Sequence, residues 1–362
     1  MVKISYYSFN NIEIAGIAAA VPTQKVNVDS FIPLFGEDTV EKFKTNVGVL
    51  GYHKSREGQT ASDLGLCAAE NLLSKLEFDR KRIGLLAFVS LSQDYFRPST
   101  ACVLQYRLKL DNSCTAFDIG LGCSGFAYGL QITSSMMQNS DVEWALMLCC
   151  DTASQVMYHK DKATAMLIGD AGTAILLHKT TEEYAHSIHG LLGTEGEYYK
   201  ACIVPAGSFR HRNVSKEEFI DENDLCRTNY HYLMSGIDVF SFAITTLPTA
   251  FKHFFELTKT QIDSYDSLIL HQANKMIIQR LVKKLKCNID APISLDRYGN
   301  TSSPSIPLAL CDAYANENKK RKILSCGFGT GLSYGITSFE LDTGNVFPVV
   351  ETDEVFEDGL IK

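Results

Sequence analysis

Apolar and polar residues follow one another along the chain in blocks that predict strands and helices in turn. Two runs, 83–90 and 143–150, are almost uninterruptedly apolar, which is typical of strands buried on both faces of a sheet. Segment 60–76 is amphipathic with a helical period. Further strands are predicted at 14–20, 115–119, 171–178, 267–270, 292–295, 323–326 and 332–341, and further helices at 98–108, 125–137, 238–257, 274–285 and 304–314. Strands that alternate with helices indicate an α/β fold.

The order of elements in the first half of the chain is repeated in the second half. In each half a buried strand, 83–90 or 267–270, precedes a further strand, a turn and a helix. Two halves related by internal symmetry would bring these turns together at one central site. We therefore predict a first half of residues 1–183, a second half of residues 184–342 with a polar insertion at about 195–227, and an acidic tail at 343–362.

The composition is that of a globular protein with a large core. The chain has 362 residues, 45% of them hydrophobic, and a net charge of −8, which argues against general nucleic-acid binding. Its 11 cysteines form no CxxC pair and no cysteine–histidine metal spacing, so we expect reduced thiols in a cytoplasmic protein and no metal site. The first apolar run, 12–21, is short and contains Glu13, so neither a signal peptide nor membrane insertion is expected.

Cys123 stands at the break between a predicted strand and the predicted helix 125–137. Gly120, Gly122 and Gly125 allow a tight turn there, and a helix that is apolar on nearly all faces is buried. The N-terminal end of a helix favours a thiolate over a thiol, which is the setting of a nucleophile. The alternative is that Cys123 is a small core residue, the usual role of a free cysteine.

Two further polar residues follow predicted strands. His271 in LILHQAN can accept and return a proton near neutral pH, and Asn300 in DRYGNTSSPSIPLAL can donate a hydrogen bond to a carbonyl oxygen that becomes negative. The stretch SCGFGTGLSYG at 325–335 can bring backbone amides close to a ligand. Taken singly, these features also fit structural roles: a buried histidine with satisfied hydrogen bonds, a turn asparagine and a glycine-rich hairpin.

Five motifs occur in the order and roughly the spacing of one known family: GCSGFAYGL, LIGDAGTAILL, LILHQAN, YGNTSSPSIPLAL and GFGTGLSYG. On these motifs the chain resembles the β-ketoacyl-acyl-carrier-protein synthases III of the thiolase superfamily, from residue 14 to about residue 341. The resemblance implies a homodimer and a thiolase-like α/β fold with two pseudo-symmetric halves in a five-layered αβαβα arrangement. It also implies that Cys123 is acylated, that His271 and Asn300 assist malonyl decarboxylation, and that the backbone amides of Cys123 and Thr330 form the oxyanion hole.

The same resemblance implies substrates and partners. An acyl group would pass from coenzyme A, or from another acyl thioester, to Cys123, and a malonyl thioester on acyl carrier protein would then decarboxylate and attack it. Coenzyme A is a substrate in this scheme, and no cofactor is expected. Four residues are assigned to substrate binding. Arg97, with Phe96 beside it, stands where the family limits primer length across the dimer. Lys162 would lie near the nucleotide of coenzyme A, and Gly329 is also assigned to substrate binding. A charged residue at the primer position suggests a primer other than acetyl, or an acyl chain with a polar group.

The predicted helix that follows His271 carries several basic residues. We expect Lys275, Arg280, Lys283 and Lys284 to contact the acidic carrier protein, because complementary charge guides docking. A basic helix face is otherwise simply a solvated surface.

Three alternative functions remain open from the sequence. A thiolase-fold acyltransferase that passes its acyl group to a hydroxyl or an amine has no enolate to stabilise, so Asn300 favours decarboxylative condensation. A 3-hydroxy-3-methylglutaryl-CoA synthase would need a catalytic glutamate, and the sequence indicates none at the site. A noncatalytic partner subunit that only binds acyl chains would not need Cys123, His271 and Asn300 together.

Overall fold

The computed structural model describes residues 5–181, 187–315 and 317–359. Its strands are β1 (Ser5–Phe9), β2 (Ile12–Pro22), β3 (Lys25–Asn27), β4 (Gly51–His53), β5 (Ile83–Val89), β6 (Thr115–Ile119), β7 (Trp144–Asp151), β8 (Ala171–Lys179), β9 (Ile188–Thr194), β10 (Cys202–Ile203), β11 (Phe219–Ile220), β12 (Cys226–Arg227), β13 (Leu233–Met234), β14 (Ser267–Leu270), β15 (Lys320–Gly329), β16 (Ser333–Asp342) and β17 (Val350–Thr352). Its α-helices are α1 (Ile32–Phe35), α2 (Glu37–Asn46), α3 (Ala61–Lys75), α4 (Thr100–Arg107), α5 (Gly125–Gln138), α6 (Gly236–Thr258), α7 (Lys275–Lys284), α8 (Leu295–Tyr298) and α9 (Ser305–Tyr314).

The main strands form an 11-stranded sheet that consists of two similar parts. The first sheet has the order β6-β5-β7-β8-β2, in which β6, β5 and β7 are parallel and β8 is antiparallel to both of its neighbours. The second sheet has the order β14-β15-β16-β9, in which β14 and β15 are parallel and β16 is antiparallel to both of its neighbours. The two sheets meet where Leu341 of β16 pairs with Ile14 of β2. The repeated order and directions match the predicted internal symmetry, except that in the described residues the second sheet has no strand equivalent to β6, where a strand at 292–295 was expected.

Helices cover the outer faces of both sheets and fill the space between them. α3 and α4 pack on the outer face of the first sheet, α6 and α7 pack on the outer face of the second, and α5 and α9 lie between the sheets. Alternate residues of β5 face opposite layers: Leu86 and Phe88 contact the outer cluster, whereas Ala87 and Val89 contact the central one. This double burial explains the uninterrupted apolar run. The chain has the predicted five layers in the order αβαβα.

Glycines on one face of α5 let this central helix lie directly against β5. A Cβ atom at Gly125 would lie 2.7 Å from Cγ1 of Val89, and one at Gly129 would lie 2.8 Å from Cγ2 of Val89. A glycine inside a helix costs about 1 kcal/mol relative to alanine, so the close approach must offset that cost. The contact fixes the start of α5, and with it the position of Cys123 just before the helix.

One predicted strand, 292–295, is wrong. Residues 291–294 belong to no strand, Leu295 begins the short helix α8, and the nearest pairing with β14 is an isolated bridge between Asp290 and Ser267, just before the segment. The cause is a side chain from elsewhere in the chain. Oε1 of Gln272 accepts hydrogen bonds from the backbone amides of Ser294 at 2.9 Å and Leu295 at 3.3 Å, so these amides need no neighbouring strand.

The sequence pattern also misses β1 and β9. These strands pair with each other in antiparallel fashion, and β9 adds to the edge of the second sheet through β16. β1 therefore belongs to the second sheet although it lies at the start of the chain. The predicted boundary between the halves, at 183/184, lies outside the described residues.

The polar insertion, 195–227, folds as a cap that contains the short strands β10, β11 and β12. Arg227 anchors it, because its guanidinium lies 2.7 Å from Asp221 and 3.4 Å from the buried carboxylate of Asp161. A 6-residue 3-10 segment, 196–201, leads into β10. β10 pairs with β13, which brings the insertion back beside the start of α6.

The acidic tail runs along the first sheet and its outer helices as far as it is described. β17 pairs in parallel with β2, and Arg56 donates a hydrogen bond of 2.6 Å to the backbone oxygen of Asp353. The amide of Phe356 donates to Oδ1 of Asp63 at 3.1 Å, and Arg107 lies 4.4 Å from the centre of the Phe356 ring. In the described ranges, no helix is long and apolar enough to cross a membrane.

Candidate active site

A cavity between the two halves of the chain contains the three residues predicted to be catalytic. It measures about 640 Å³ with its open mouth, and Cys123, His271 and Asn300 all line it. Gly329 lines it as well. The other lining residues are mostly apolar: Phe43, Val47, Ala163, Leu167, Met234, Val239, Phe240, Ala273, Ile277 and Phe328. An apolar cavity with a few convergent polar groups is the usual form of a small-molecule site.

The end of β15 lies against Cys123. A Cβ atom at Gly329 would lie 2.8 Å from Cβ of Cys123 and 2.9 Å from its sulfur, and Gly329 has φ +149°. The next backbone amide, that of Thr330, is close enough to the sulfur to lower the pKa of the Cys123 thiol. The predicted partner of Cys123 in an oxyanion hole thus lies beside the sulfur.

A chain of hydroxyls holds the Thr330 peptide. Ser333 Oγ donates to the backbone oxygen of Thr330 at 2.9 Å, and it lies 2.8 Å from the hydroxyl of Ser124. Ser124 follows the nucleophile directly and is fully buried. The residue that follows Cys123 and the Thr330 peptide, the two sides of the predicted oxyanion hole, are therefore connected by hydrogen bonds within the protein.

Burial determines the protonation of Cys123. It raises the pKa of the thiol to about 12, and the hydrogen bonds from Thr330 and Ser302 only partly oppose the rise. The expected thiolate at the helix end is therefore not the resting form. Cys123 is half-buried and α5 begins at Gly125, two residues later, so the sulfur gains too little from that helix end to offset its desolvation. To act as the predicted nucleophile, Cys123 therefore needs a base.

His271 lines the same cavity, and its imidazole is uncharged near neutral pH. Its side chain is only 1% exposed, and burial lowers the pKa of its imidazole to about 3. Nδ1 lies 2.6 Å from the hydroxyl of Ser305, at the start of α9, and the ring contacts Phe328 edge-on with centroids 5.5 Å apart. Because Nδ1 is engaged, Nε2 is the nitrogen left for proton exchange with thiol or substrate.

Asn300 has a fixed amide orientation. Its Oδ1 accepts a hydrogen bond of 2.9 Å from the backbone amide of Ser302. A backbone N–H can pair only with the oxygen of the carboxamide, so the Nδ2 group is left as a donor. Its backbone is held too, because its amide donates to the oxygen of Leu167 at 2.9 Å and its carbonyl accepts from Gly169 at 3.1 Å. Asn300 is thus placed to donate a hydrogen bond to a negative oxygen.

The sequence analysis missed Asp151, a fully buried carboxylate at the end of β7 that joins the two halves of the site. Oδ2 accepts hydrogen bonds from the amide of Ser303 at 3.0 Å and from its hydroxyl at 2.7 Å. Oδ1 accepts from the amide of Leu91 at 2.9 Å and from the hydroxyls of Ser90 and Ser92 at 3.2 Å. Desolvation raises the pKa of this carboxyl group despite these bonds. Asp151 therefore fastens the Asn300 loop to the sheet that supports Cys123.

Two further cavity residues were not predicted from the sequence. Cys202 on β10 and Tyr232, just before β13, both line the cavity beside Cys123. They lie in or next to the segment interpreted as a polar insertion, and no local motif marks them. A search for polar residues after apolar strands would have found Asp151, since it ends β7 in the same way that His271 follows β14.

The two residues predicted to bind the primer do not lie in this cavity. Arg97 is exposed, and Phe96 is 80% exposed and contacts Phe209 of the insertion with ring centroids 6.1 Å apart. Both line a separate surface depression together with Ser208. Within one chain these two residues do not reach the cavity, because the 93–99 segment turns outward before α4. Its proposed action across a dimer remains a prediction.

The other residues that were predicted to contact the substrate or the carrier protein, Lys162 and the basic residues of α7, lie at the surface. Lys162 is half-exposed, precedes the cavity residue Ala163 and lies 3.5 Å from Asp224 of the insertion. On α7, Arg280 and Lys283 are exposed. Two other basic residues of α7 are in contact with the protein. The side chain of Lys275 packs on Gly48, and Nζ of Lys284 donates to the backbone oxygen of Ile244 at 2.6 Å. Neither Arg280 nor Lys283 forms a salt bridge with another residue in the described part of the chain.

Comparison with known proteins places these features in one family. Residues 117–196 match the family model for 3-oxoacyl-[acyl-carrier-protein (ACP)] synthase III, and residues 255–341 match the model for its C-terminal part. A beta-ketoacyl-[acyl-carrier-protein] synthase III of Clostridium botulinum (strain 657 / Type Ba4) is 32% identical over 330 residues, which cover 90% of this chain and 97% of the relative.

Solved structures with the same names share the fold. A 3-oxoacyl-(acyl-carrier protein) synthase of Burkholderia xenovorans LB400 is similar with a TM-score of 0.91 and 29% identity, over 97% of this chain and 100% of that one. The beta-ketoacyl-[acyl carrier protein] synthase III of Thermus thermophilus has a TM-score of 0.78 and 26% identity, over 92% of this chain and 100% of its own. The predicted thiolase-like α/β fold is confirmed.

Proposed function

Because the chain belongs to the 3-oxoacyl-[acyl-carrier-protein] synthase III family, we propose that it condenses an acyl group held on Cys123 with a malonyl thioester and releases carbon dioxide. The observation that supports the proposal best is that Cys123, His271 and Asn300 line one cavity, with the Thr330 amide beside the sulfur. In this scheme the protein is an acyltransferase that acts in two steps with a covalent intermediate.

In the first step the sulfur of Cys123 attacks the carbonyl carbon of an acyl thioester. The neutral imidazole of His271 takes the thiol proton and returns it to the departing thiol, so that one thioester bond forms and one breaks. The carbonyl oxygen becomes negative during the attack, and the amides of Cys123 and Thr330 stabilise it. One such donor is worth about 100- to 1000-fold in rate.

In the second step the malonyl thioester loses its carboxylate as carbon dioxide, and the electron pair passes to an enolate. For this step the single ring proton of His271 has to exchange from Nδ1 to Nε2, and Nδ1 then accepts a hydrogen bond from the Ser305 hydroxyl. His271 Nε2 and Asn300 Nδ2 donate hydrogen bonds to the enolate oxygen. The enolate carbon then attacks the acyl carbonyl on Cys123, and the sulfur leaves as a thiolate and takes up a proton from solvent. The products are a 3-oxoacyl thioester and free enzyme. A buried carboxamide with its donor end free supports this second step, which simple acyl transfer to a hydroxyl or amine does not contain.

The partners follow from the same proposal. The acyl donor is coenzyme A or another acyl thioester, and the malonyl group arrives on acyl carrier protein, which the exposed Arg280 and Lys283 would attract. We further propose a homodimer in which the 93–99 segment of one chain reaches its partner. A cytoplasmic location is supported by the 11 cysteines, since all of them are free.

Mass spectrometry of the intact protein tests the first step. Incubation with a panel of acyl thioesters is expected to add one acyl group, mapped to the peptide that contains Cys123, and Cys123→Ala removes the label. Cys202→Ala is the matched control, because this second thiol lines the same cavity. Labelling that survives Cys123→Ala and disappears in Cys202→Ala would refute the assignment of the nucleophile.

The second step is tested separately. Release of carbon dioxide from malonyl-acyl-carrier-protein is expected to fall by about 100-fold or more in Asn300→Ala, whereas acylation of Cys123 falls much less. Equal losses in both steps would contradict the role given to Asn300. Acyl transfer to a hydroxyl or amine without release of carbon dioxide would favour the alternative acyltransferase.

A further inference from the structure

A depression on the insertion lies next to the active-site cavity, across the strand pair β10–β13. Along β10, Cys202 lines the cavity, whereas the next residue, Ile203, lines the depression. Met234 of β13, which pairs with Cys202, lines both. Neighbouring side chains of a strand point to opposite faces. One pair of strands therefore separates the depression from the cavity.

This depression is basic although the chain as a whole is acidic. The chain has 42 aspartates and glutamates against 34 lysines and arginines, yet no acidic residue in the described part of the chain lines the depression. We name it the basic depression, and its lining consists of Tyr199, Lys200, Ile203, Pro205, Arg210, His211, Arg227, Leu233, Met234 and Ser235. A concave surface with charge of one sign concentrates counter-ions.

Three basic side chains of the depression are not paired with an acidic residue. Lys200, Arg210 and His211 are exposed, and no salt bridge or hydrogen bond joins their side chains to another residue within 5–181, 187–315 and 317–359. Arg227 differs, because its guanidinium already lies 2.7 Å from Asp221. The charge that is free to bind an anion thus comes from Lys200 and Arg210, and from His211 when it is protonated.

The lysines near the insertion on the other side of the chain are engaged. Lys160 lies 2.7 Å from Glu218, and Lys162, the residue predicted to lie near the nucleotide, lies 3.5 Å from Asp224. A lysine that is paired with a carboxylate offers less net charge to a phosphate. A phosphorylated ligand of the cavity therefore finds free cationic groups in the basic depression.

We infer that the basic depression binds a phosphate group of the acyl donor while the thioester lies at Cys123. The inference rests on the proposed function and adds to it a site for the phosphorylated end of the donor. In a pantetheine thioester the phosphate is separated from the sulfur by the length of the pantetheine arm, so it lies outside the cavity that holds Cys123. Ammonium and guanidinium groups donate charge-assisted hydrogen bonds to phosphate oxygens.

Calorimetric titration with pantetheine, phosphopantetheine and coenzyme A tests the inference, because these ligands share one arm and differ in their phosphates. A salt concentration of about 0.15 M screens charges that are not in contact with the ligand. Lys200→Met combined with Arg210→Gln is expected to weaken coenzyme A binding by about tenfold or more and to leave pantetheine binding unchanged.

The phosphopantetheine titration identifies which phosphate is bound. An equal loss of phosphopantetheine binding in this double variant assigns the depression to the phosphate next to the arm, which the arm of a carrier protein also has. Unchanged phosphopantetheine binding assigns it to the nucleotide phosphates of coenzyme A. Either result supports a phosphate site in the basic depression.

Arg212→Gln combined with Lys216→Met is the matched control, because it removes the same charge from the same insertion and neither residue lines the depression. Its coenzyme A binding is expected to stay within twofold of that of the unmodified protein. Thermal unfolding of each variant checks that the fold is intact.

Two results would overturn the inference: equal loss of coenzyme A binding in both double variants, or no loss in Lys200→Met with Arg210→Gln. Neither result affects the proposed function, which is measured by acylation of Cys123. Failure of Cys123 in the intact protein to accept an acyl group from any thioester would overturn the proposed function. In that case, loss of coenzyme A binding in the first double variant alone would still support the phosphate site.

Discussion

Replacing Gly329 with alanine would put a methyl group against the nucleophile. Its Cβ would lie 2.8 Å from Cβ and 2.9 Å from Sγ of Cys123. Ordinary contacts between such atoms are about 3.5–4.0 Å, so β15 and the Cys123 turn would have to separate by roughly 0.6–1 Å. The φ of +149° adds backbone strain of about 1–3 kcal/mol for any residue with a side chain. The substitution therefore perturbs both the sulfur and the Thr330 amide.

The expected loss of activity is large compared with the loss of stability. A displacement of about 1 Å at the reacting atoms costs about 100-fold in rate, and loss of one oxyanion donor costs about 100- to 1000-fold. We expect Gly329→Ala to slow Cys123 acylation by at least about 100-fold, and to lower the free energy of unfolding by about 1–3 kcal/mol. Rapid-quench mass spectrometry measures the first quantity and urea denaturation the second.

Gly120→Ala is the matched control, because it lies in the turn before the nucleophile but its added Cβ meets no atom within 4 Å. Both its acylation rate and its stability are expected to stay close to those of the unmodified protein. Acylation in Gly329→Ala within threefold of the unmodified rate, with the fold intact, would refute the idea that β15 sets the position of the sulfur.

Two other predictions concern buried ionisable groups. Asp151→Asn places an NH₂ group opposite hydrogen-bond donors. It is therefore expected to lower the free energy of unfolding by about 2–4 kcal/mol. It is also expected to slow malonyl decarboxylation more than Cys123 acylation. Unchanged stability in urea denaturation would contradict the anchoring role of this carboxylate. Burial lowers the pKa of His271 to about 3 in the folded chain, whereas a histidine in the unfolded chain has a pKa of about 6.5. Below about pH 6.5 the unfolded chain therefore binds a proton that the folded chain does not. The free energy of unfolding consequently decreases as the pH falls below about 6.5, by at most about 1.4 kcal/mol per pH unit. Urea denaturation at pH 7, 6 and 5 is expected to show that the free energy of unfolding decreases less with falling pH in His271→Gln than in the unmodified protein. An equal decrease per pH unit in both proteins would argue against a neutral buried imidazole.

Local pattern is sufficient where a residue's neighbours in sequence decide its surroundings. β5 is predicted correctly because its side chains face apolar layers on both sides. The strand expected at 292–295 is not formed because Gln272, distant in sequence, satisfies the amides it would have used. No property of that segment itself signals this.

The same distinction applies to the site: some of its residues could be predicted from the local sequence, and others could not. Cys123, His271 and Asn300 could be predicted because each stands at the break of an apolar run within a recognisable motif. Asp151 could not be given a role, since its partner Ser303 lies 152 positions away. Tyr232 enters the cavity through the pairing of two-residue strands, which leave no periodic signal in the sequence. Likewise, only the folded chain shows that burial keeps the Cys123 thiol protonated.

The position of β2 has a consequence for synthesis on the ribosome. One edge of this strand pairs with β8, but the other edge is covered by Leu341, Val346 and β17, which are translated about 330 residues later. At roughly 5–20 residues per second, the nascent chain carries an uncovered apolar strand edge for tens of seconds. Such edges recruit other strands and aggregate. Newly made chains should therefore depend on chaperones until translation nears its end, and C-terminal truncations that remove β17 should form insoluble protein.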